Sequence, residues 1–127
     1  VPLVFQIPTG IGRNIQIIGG TLQKSDQTDV ANAEFRIHVY SSSPTPANGD
    51  NGAWSTDIAG YLGSLDLSVQ LAFTDDAYIR TYVTGAAVLS HFMGTGRQLY
   101  GLLEADAAYT PASAETFTAG LIIAHVD

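Results

Sequence analysis

The chain has 127 residues and a mass of 13.4 kDa, a size that fits one domain, or one domain with an ordered arm. Charged residues make up 13% against 46% hydrophobic. The usual charged share is about 25%, so disorder driven by charge is excluded. The formal charge is -7 and there is no cysteine, which rules out disulfides. The basic residues Arg13, Lys24, Arg36, Arg80 and Arg97 are scattered, which speaks against nucleic-acid binding through clustered cations. No apolar run approaches about 18 residues, so no transmembrane helix and no membrane partner is expected. Val1 to Gly10 lacks the basic region and long apolar core of a signal peptide.

Val1-Pro-Leu-Val-Phe-Gln-Ile-Pro8 is apolar but interrupted by prolines, which lack an N–H donor and restrict φ. Residues 1–14 are therefore predicted to form an extended N-terminal arm or edge segment ahead of a domain over 15–127. Ile15, Ile17 and Ile18 begin a short strand that Gly19-Gly20 is expected to end, and Lys24 to Asn32 reads as a loop. In Glu34-Phe-Arg-Ile-His-Val-Tyr40, Phe35, Ile37 and Val39 share one side while Glu34, Arg36, His38 and Tyr40 take the other. That period of two predicts a strand with one core face.

Ser41 to Trp54 carries two prolines, two glycines and the turn pair Asn48-Gly49, the composition of a long surface loop. Leu65 to Phe73 alternates without a miss and is predicted to be one strand. Through Thr74 to Ala77 it would form a hairpin with Tyr78 to Thr84, with Ile79 and Val83 inward and Tyr78, Arg80 and Tyr82 outward. Ala86 to Met93 permits a short helix and is too brief for periodicity to decide. Leu99 to Ala105 returns to strand propensity, Tyr109 to Ala114 reads as a turn, and Phe117 to Val126 is apolar at both parities, the mark of a central strand. Seven or eight short strands with Gly, Pro and Asn punctuation point to an all-β, antiparallel β-sandwich, jelly-roll-like, with a small barrel as the alternative.

Chemistry-bearing motifs are weak. His38, His91 and His125 show no recognisable metal spacing. Asn48, Asp50, Asn51, Asp57 and the pair Asp75-Asp76 offer oxygen ligands but miss the EF-hand pattern. Ser41-Ser42-Ser43 lacks a nucleophile elbow, and neither Asp75 with Asp76 nor Glu104 with Asp106 establishes a carboxylate dyad. Gly10-Ile-Gly12 and Gly94-Thr-Gly96 are not phosphate loops. No catalytic residue, metal site or cofactor is expected, and the chain does not read as an enzyme. Trp54 and the tyrosines at 40, 61, 78, 82, 100 and 109 suit protein contacts or sugar stacking.

Ala33-Glu-Phe-Arg-Ile-His-Val-Tyr40, Pro44-Thr-Pro-Ala-Asn-Gly-Asp50 and the stretch from Tyr100 to Phe117 resemble capsid decoration, or cement, proteins of tailed bacteriophages. The resemblance runs from about Glu34 to the end, is most diagnostic in the loop and in Tyr109 to Phe117, and weakens over Val1 to Asp29. It implies a β-rich virion protein, made in the host cytoplasm and attached to the outer surface of the head, where it helps resist the pressure of packaged DNA. The implied partners are the major capsid protein and further copies of the chain, as a homotrimer or other small homo-oligomer. Among the residues themselves, Val1, Leu3, Phe5, Ile7, Trp54, Tyr61, Tyr78, Arg80 and Tyr82 are the expected contacts to capsid or neighbouring subunits. The alternative is a tail or baseplate module that binds a receptor or carbohydrate.

Overall fold

Alternating apolar side chains need a second apolar surface to cover them, and here that surface is another sheet. The computed structural model describes residues 3–7, 14–25, 34–46, 58–68, 71–72, 77–82, 89–92, 98–105, 109 and 114–125. Nine strands form among the described residues: β1 (Leu3–Gln6), β2 (Asn14–Lys24), β3 (Glu34–Tyr40), β4 (Tyr61–Ser68), β5 (Leu71–Ala72), β6 (Ala77–Tyr82), β7 (Leu89–Phe92), β8 (Gln98–Ala105) and β9 (Phe117–His125). One antiparallel sheet has the order β1-β8-β3-β4. The other is built around β2, with β9 paired from Ile15 to Lys24. The opposite edge of β2 is shared by β7, beside Asn14 to Ile17, and β6, beside Gly19 to Lys24. β5 extends this sheet beyond β6. The architecture is an all-β antiparallel sandwich.

The core lies between the sheets. Ile15, Ile17 and Leu22 of β2 meet Phe35, Ile37 and Val39 of β3, Leu65 and Leu67 of β4, and Leu99 of β8, with Ile7 closing one margin. The segment near the N-terminus is an edge strand: Leu3 to Gln6 pair with Gly101 to Gln98. Its alternation leaves Leu3 and Phe5 half-buried and Val4 56% exposed, while Ile7 is only 3% exposed.

Two bulges reset the alternation. Ladder register steps from Ile17↔Ile123 to Gly19↔Ile122, leaving Ile18 as an extra residue. An extra residue reverses which parity faces inward. Ile15 and Ile17 are buried before the bulge, and Gly20, Leu22 and Lys24 after it. Gly19-Gly20 therefore does not end the strand, and Lys24 is its last residue rather than the first of a loop. At Gly20 a Cβ would lie 3.1 Å from Leu65 Cδ1 and 3.3 Å from the Gly120 carbonyl, so a side chain there would press on the facing sheet and on the neighbouring strand, each of which would have to give by a few tenths of an ångström. The second bulge leaves Leu62 extra between Val39↔Gly63 and Tyr40↔Tyr61, turning Tyr61 away from the parity of Leu65 and Leu67.

Three further expectations change, and one left open is decided. The alternating run from Leu65 is not one strand: β4 pairs with β3 in one sheet and β5 with β6 in the other. Because both sheets turn an apolar face inward, alternation does not register which sheet a residue belongs to. The hairpin is confined to Leu71↔Tyr78 and Ala72↔Ala77, and Phe73 and Val83 lie outside the described residues. Leu89–Phe92 is a strand rather than part of a helix, since Asn14 to Ile17 supply it with a ladder. β9 lies at the rim of its sheet rather than the centre, pairing with β2 alone among the described residues.

Enlarging Gly20 should strain this packing. Gly20→Val is expected to lower stability by about 1–3 kcal/mol through overpacking, read as a shift in urea midpoint at unchanged slope.

Candidate functional site

Among the described residues, ionic side chains meet in two groups, and the first follows from the β2 bulge. Because the phase has reversed, Lys24 ends the strand on its core-facing parity, with its side chain fully buried. Glu115 is held opposite by a pair of bonds just before β9: Ser25 N–H donates to the Thr116 carbonyl at 3.0 Å, and Thr116 N–H donates to Ser25 Oγ at 2.9 Å. Lys24 Nζ lies 3.2 Å from Glu115 Oε1, and both side chains are 0% exposed.

Tyr109, between β8 and β9, completes the group. Its hydroxyl accepts from Lys24 Nζ at 2.7 Å and donates to the Glu115 carboxylate at 2.8 and 2.9 Å. Lys24 Nζ also stands 5.1 Å from the Tyr109 ring centroid, within cation–π range. The Tyr109 ring packs edge-on against Phe35 at a centroid distance of 5.2 Å and against Phe117 at 6.0 Å, and those two rings meet at 5.3 Å. Burial works to lower the Lys24 pKa, but its hydrogen bonds to Tyr109 and Glu115 outweigh that, and the ammonium is held above its ordinary range. Burial pushes the Tyr109 phenol up, with its bond to Glu115 adding to the shift. Tyr109 was a candidate contact aromatic; here it is a half-buried member of this internal cluster.

The second group lies on the outer side of the β3 sheet. Across adjacent strands, Asp66, Arg36, Glu104, His38 and Tyr61 form a continuous polar chain. Arg36 Nε donates to Asp66 Oδ1 at 2.7 Å, and the guanidinium lies 3.8 Å from Glu104. His38 Nε2 and Glu104 Oε1 are 2.9 Å apart, and His38 Nδ1 and the Tyr61 hydroxyl 3.0 Å apart. A carboxylate only accepts, so Nε2–H donates to Glu104, and Nδ1 and the Tyr61 hydroxyl share the second bond.

Although β3 turns His38 and Tyr40 away from the inter-sheet core, they are only 7% and 1% exposed. Leu102, beside His38 on β8, is 6% exposed. Tyr61 packs edge-on against Tyr40 at 5.2 Å. The bulge at Leu62 thus creates a small outer layer rather than a solvated face. Its entry turn depends on Gly60, whose φ of 76° suits the third turn position ahead of Tyr61 N–H bonding the Ile58 carbonyl.

The remaining expected contact residues are dispersed. Ile7 is part of the core cluster, Leu3 and Phe5 are half-buried on β1, and Tyr61 belongs to the outer layer of the β3 sheet. Tyr78 and Arg80 stand opposite Gln23 and Thr21, on the outer side of the β2 sheet, with Arg80 exposed. Tyr82 ends the same strand opposite Gly19. Val1 and Trp54 lie outside the described residues, as do Asn48, Asp50, Asn51, Asp57, Asp75, Asp76 and Asp106. His91 and His125 are strand residues on β7 and β9, both opposite Ile15 of β2. Among the described residues, no group of three His, Asp or Glu side chains is arranged to hold a metal ion.

Sequence reasoning did not single out Val4 or Ile58, the large apolar side chains most exposed to water among the described residues, at 56% and 82%. No family model matches the chain, and neither a curated protein nor a solved structure gives a significant match.

Removing one partner of the buried ion pair strands the other. Lys24→Met is expected to cost about 3–5 kcal/mol, measured by chemical denaturation. Both raised pKa values favour the protonated folded state, so their stabilisation is complete below the ordinary Tyr and Lys ranges at 10.0 and 10.5. It falls as pH rises through the higher folded values. A pH titration of the melting temperature should show this alkaline loss, and Tyr109→Phe should reduce it.

Proposed function

We propose that the chain is a virion structural protein, a decoration protein that docks on the outer surface of a phage head and binds the major capsid protein as a small homo-oligomer. The observation that carries this reading is Ile58, 82% exposed, at the end of the loop region and four residues beyond Trp54. An interface gains most from apolar groups already presented on a firm support, since less ordering accompanies binding. Ile58 is presented in this way by the Gly60 turn, where Ser41 N–H bonds the Gly60 carbonyl at 2.8 Å.

The low charge density adds support, because few ions lose water when such a surface is covered. Individual contacts of this size are weak. Repetition over an oligomer and a lattice multiplies them, and occupancy then stabilises the folded form by mass action. No step in this role turns over a substrate.

Cryo-electron microscopy of native particles tests the location directly. Regular density for the sandwich across the head is expected; density at the tail alone would instead favour the receptor-binding module, and no ordered copy would overturn both. Ile58→Asp should leave the melting temperature nearly unchanged and sharply reduce head occupancy. Removing residues 1–8 would be a poor substitute, because it deletes the β1 ladder and Ile7 from the core and should destabilise the isolated chain.

A further inference from the structure

We infer that β9 is a self-association edge: Phe117–His125 of two copies pair antiparallel about a two-fold axis, continuing the β2 sheet from one copy into the other. Exposed strand edges offer backbone donors and acceptors to any passing strand, and folded proteins ordinarily blunt them. The other edges here are blunted. β5 has two residues, β7 has four and covers only the Asn14 to Ile17 end of β2, β1 has four with Pro2 and Pro8 on either side in the sequence, and β4 carries the Leu62 bulge and Asp66. β9 has none of these devices. It runs for nine residues without proline, lysine, arginine or carboxylate, and among the described residues only β2 pairs with it.

Burial points the same way. On β2, core-facing Ile15, Ile17 and Leu22 are 0% exposed, yet Phe117, Ala119, Leu121 and Ile123, which face the same core from β9, remain only partly buried. The apolar layer therefore stops at a rim that another strand would extend. Apolar residues at both parities, which suggested a central strand, fit a strand that becomes central in the assembled pair.

Charge and side-chain size identify the occupant as a second copy. A chain of formal charge -7 repels its own copies over most approaches, but β9 brings no like charges together. A two-fold axis through Leu121 sets Ala119 against Ile123 and Gly120 against Ile122, so a small residue meets a branched one in each pair. The strand supplies about 30 Å of edge at roughly 3.4 Å per residue. This inference deepens the homo-oligomer part of the proposed function and rests on that part for its occupant, without requiring the capsid.

Sedimentation analysis of the full chain over a concentration series, with amide hydrogen exchange on the same samples, tests the pairing. A dimer is expected, with residues 117–125 gaining protection as concentration rises. Ile122→Lys with Ala124→Lys, both at outward-facing ladder positions opposite β2, should weaken dimerisation by about 100-fold or more, because edge lysines hold their charge in water and the Ile122 to Gly120 contact is lost. A monomer at every concentration, a trimer, an undiminished dimer in the double variant, or exchange in 117–125 that ignores concentration would each overturn the inference. Should the double variant fail to fold, the exchange measurement on the unsubstituted chain decides alone. A β9 dimer absent from particles would sink only the capsid reading, and a monomer ordered on the head would sink only this one.

Discussion

One strand carries the geometry of half the molecule. β2 serves β9 along one edge and both β6 and β7 along the other, so its path sets the register of three partners at once. The bulge at Ile18 lets an eleven-residue strand present apolar side chains to the same core on both sides of a phase change. Without that extra residue, either Ile15 and Ile17 or Leu22 would face outward. Gly20 follows directly, at the point where Leu65 of the facing sheet and the Gly120 carbonyl come closest.

The same phase change explains why a lysine is buried at the end of an otherwise apolar strand. Two ions removed from water lose hydration that their mutual attraction barely restores, so such a pair contributes little net stability over a well-packed apolar replacement. The Tyr109 hydroxyl improves the balance by accepting from one ion and donating to the other. Its chief consequence is positional: Lys24 ends β2, Glu115 precedes β9, and Tyr109 lies in the connection from β8, so satisfying all three ties these segments to one arrangement. On the other sheet, the chain from Asp66 to Tyr61 crosses three strands in a similar way. The exposed Arg36–Asp66 end contributes little, as surface ion pairs do, whereas the His38–Tyr61 end lies against buried Tyr40 and Leu102.

These networks turn the charge of Lys24, Glu115, Arg36 and Glu104 toward the chain itself, and among the described residues Ile58, Val4 and the β9 edge stand apart from them. That balance suits attachment through many shallow contacts better than recognition of a charged small molecule. It also separates two kinds of surface: Ile58 on the loop side, and β9 at the opposite rim, near β1. A subunit that docks through one and pairs through the other can do both at once.

Wherever a strand keeps one phase and one sheet, its side chains were legible. Phe35, Ile37 and Val39 form the inner face of β3, and Ile79 turns inward on β6, because alternation follows from the pleat itself. The charge, the lack of cysteine and the all-β class were likewise properties of composition and local pattern. Tertiary structure alone decided the rest: that Leu65 and Leu71 belong to different sheets, that Gly19-Gly20 continues a strand, that Leu89–Phe92 pairs rather than coils, and that Lys24 meets Glu115 and Tyr109. Each depends on residues distant in sequence reaching the same place, and a choice of sheet leaves no mark in the pattern of neighbouring side chains.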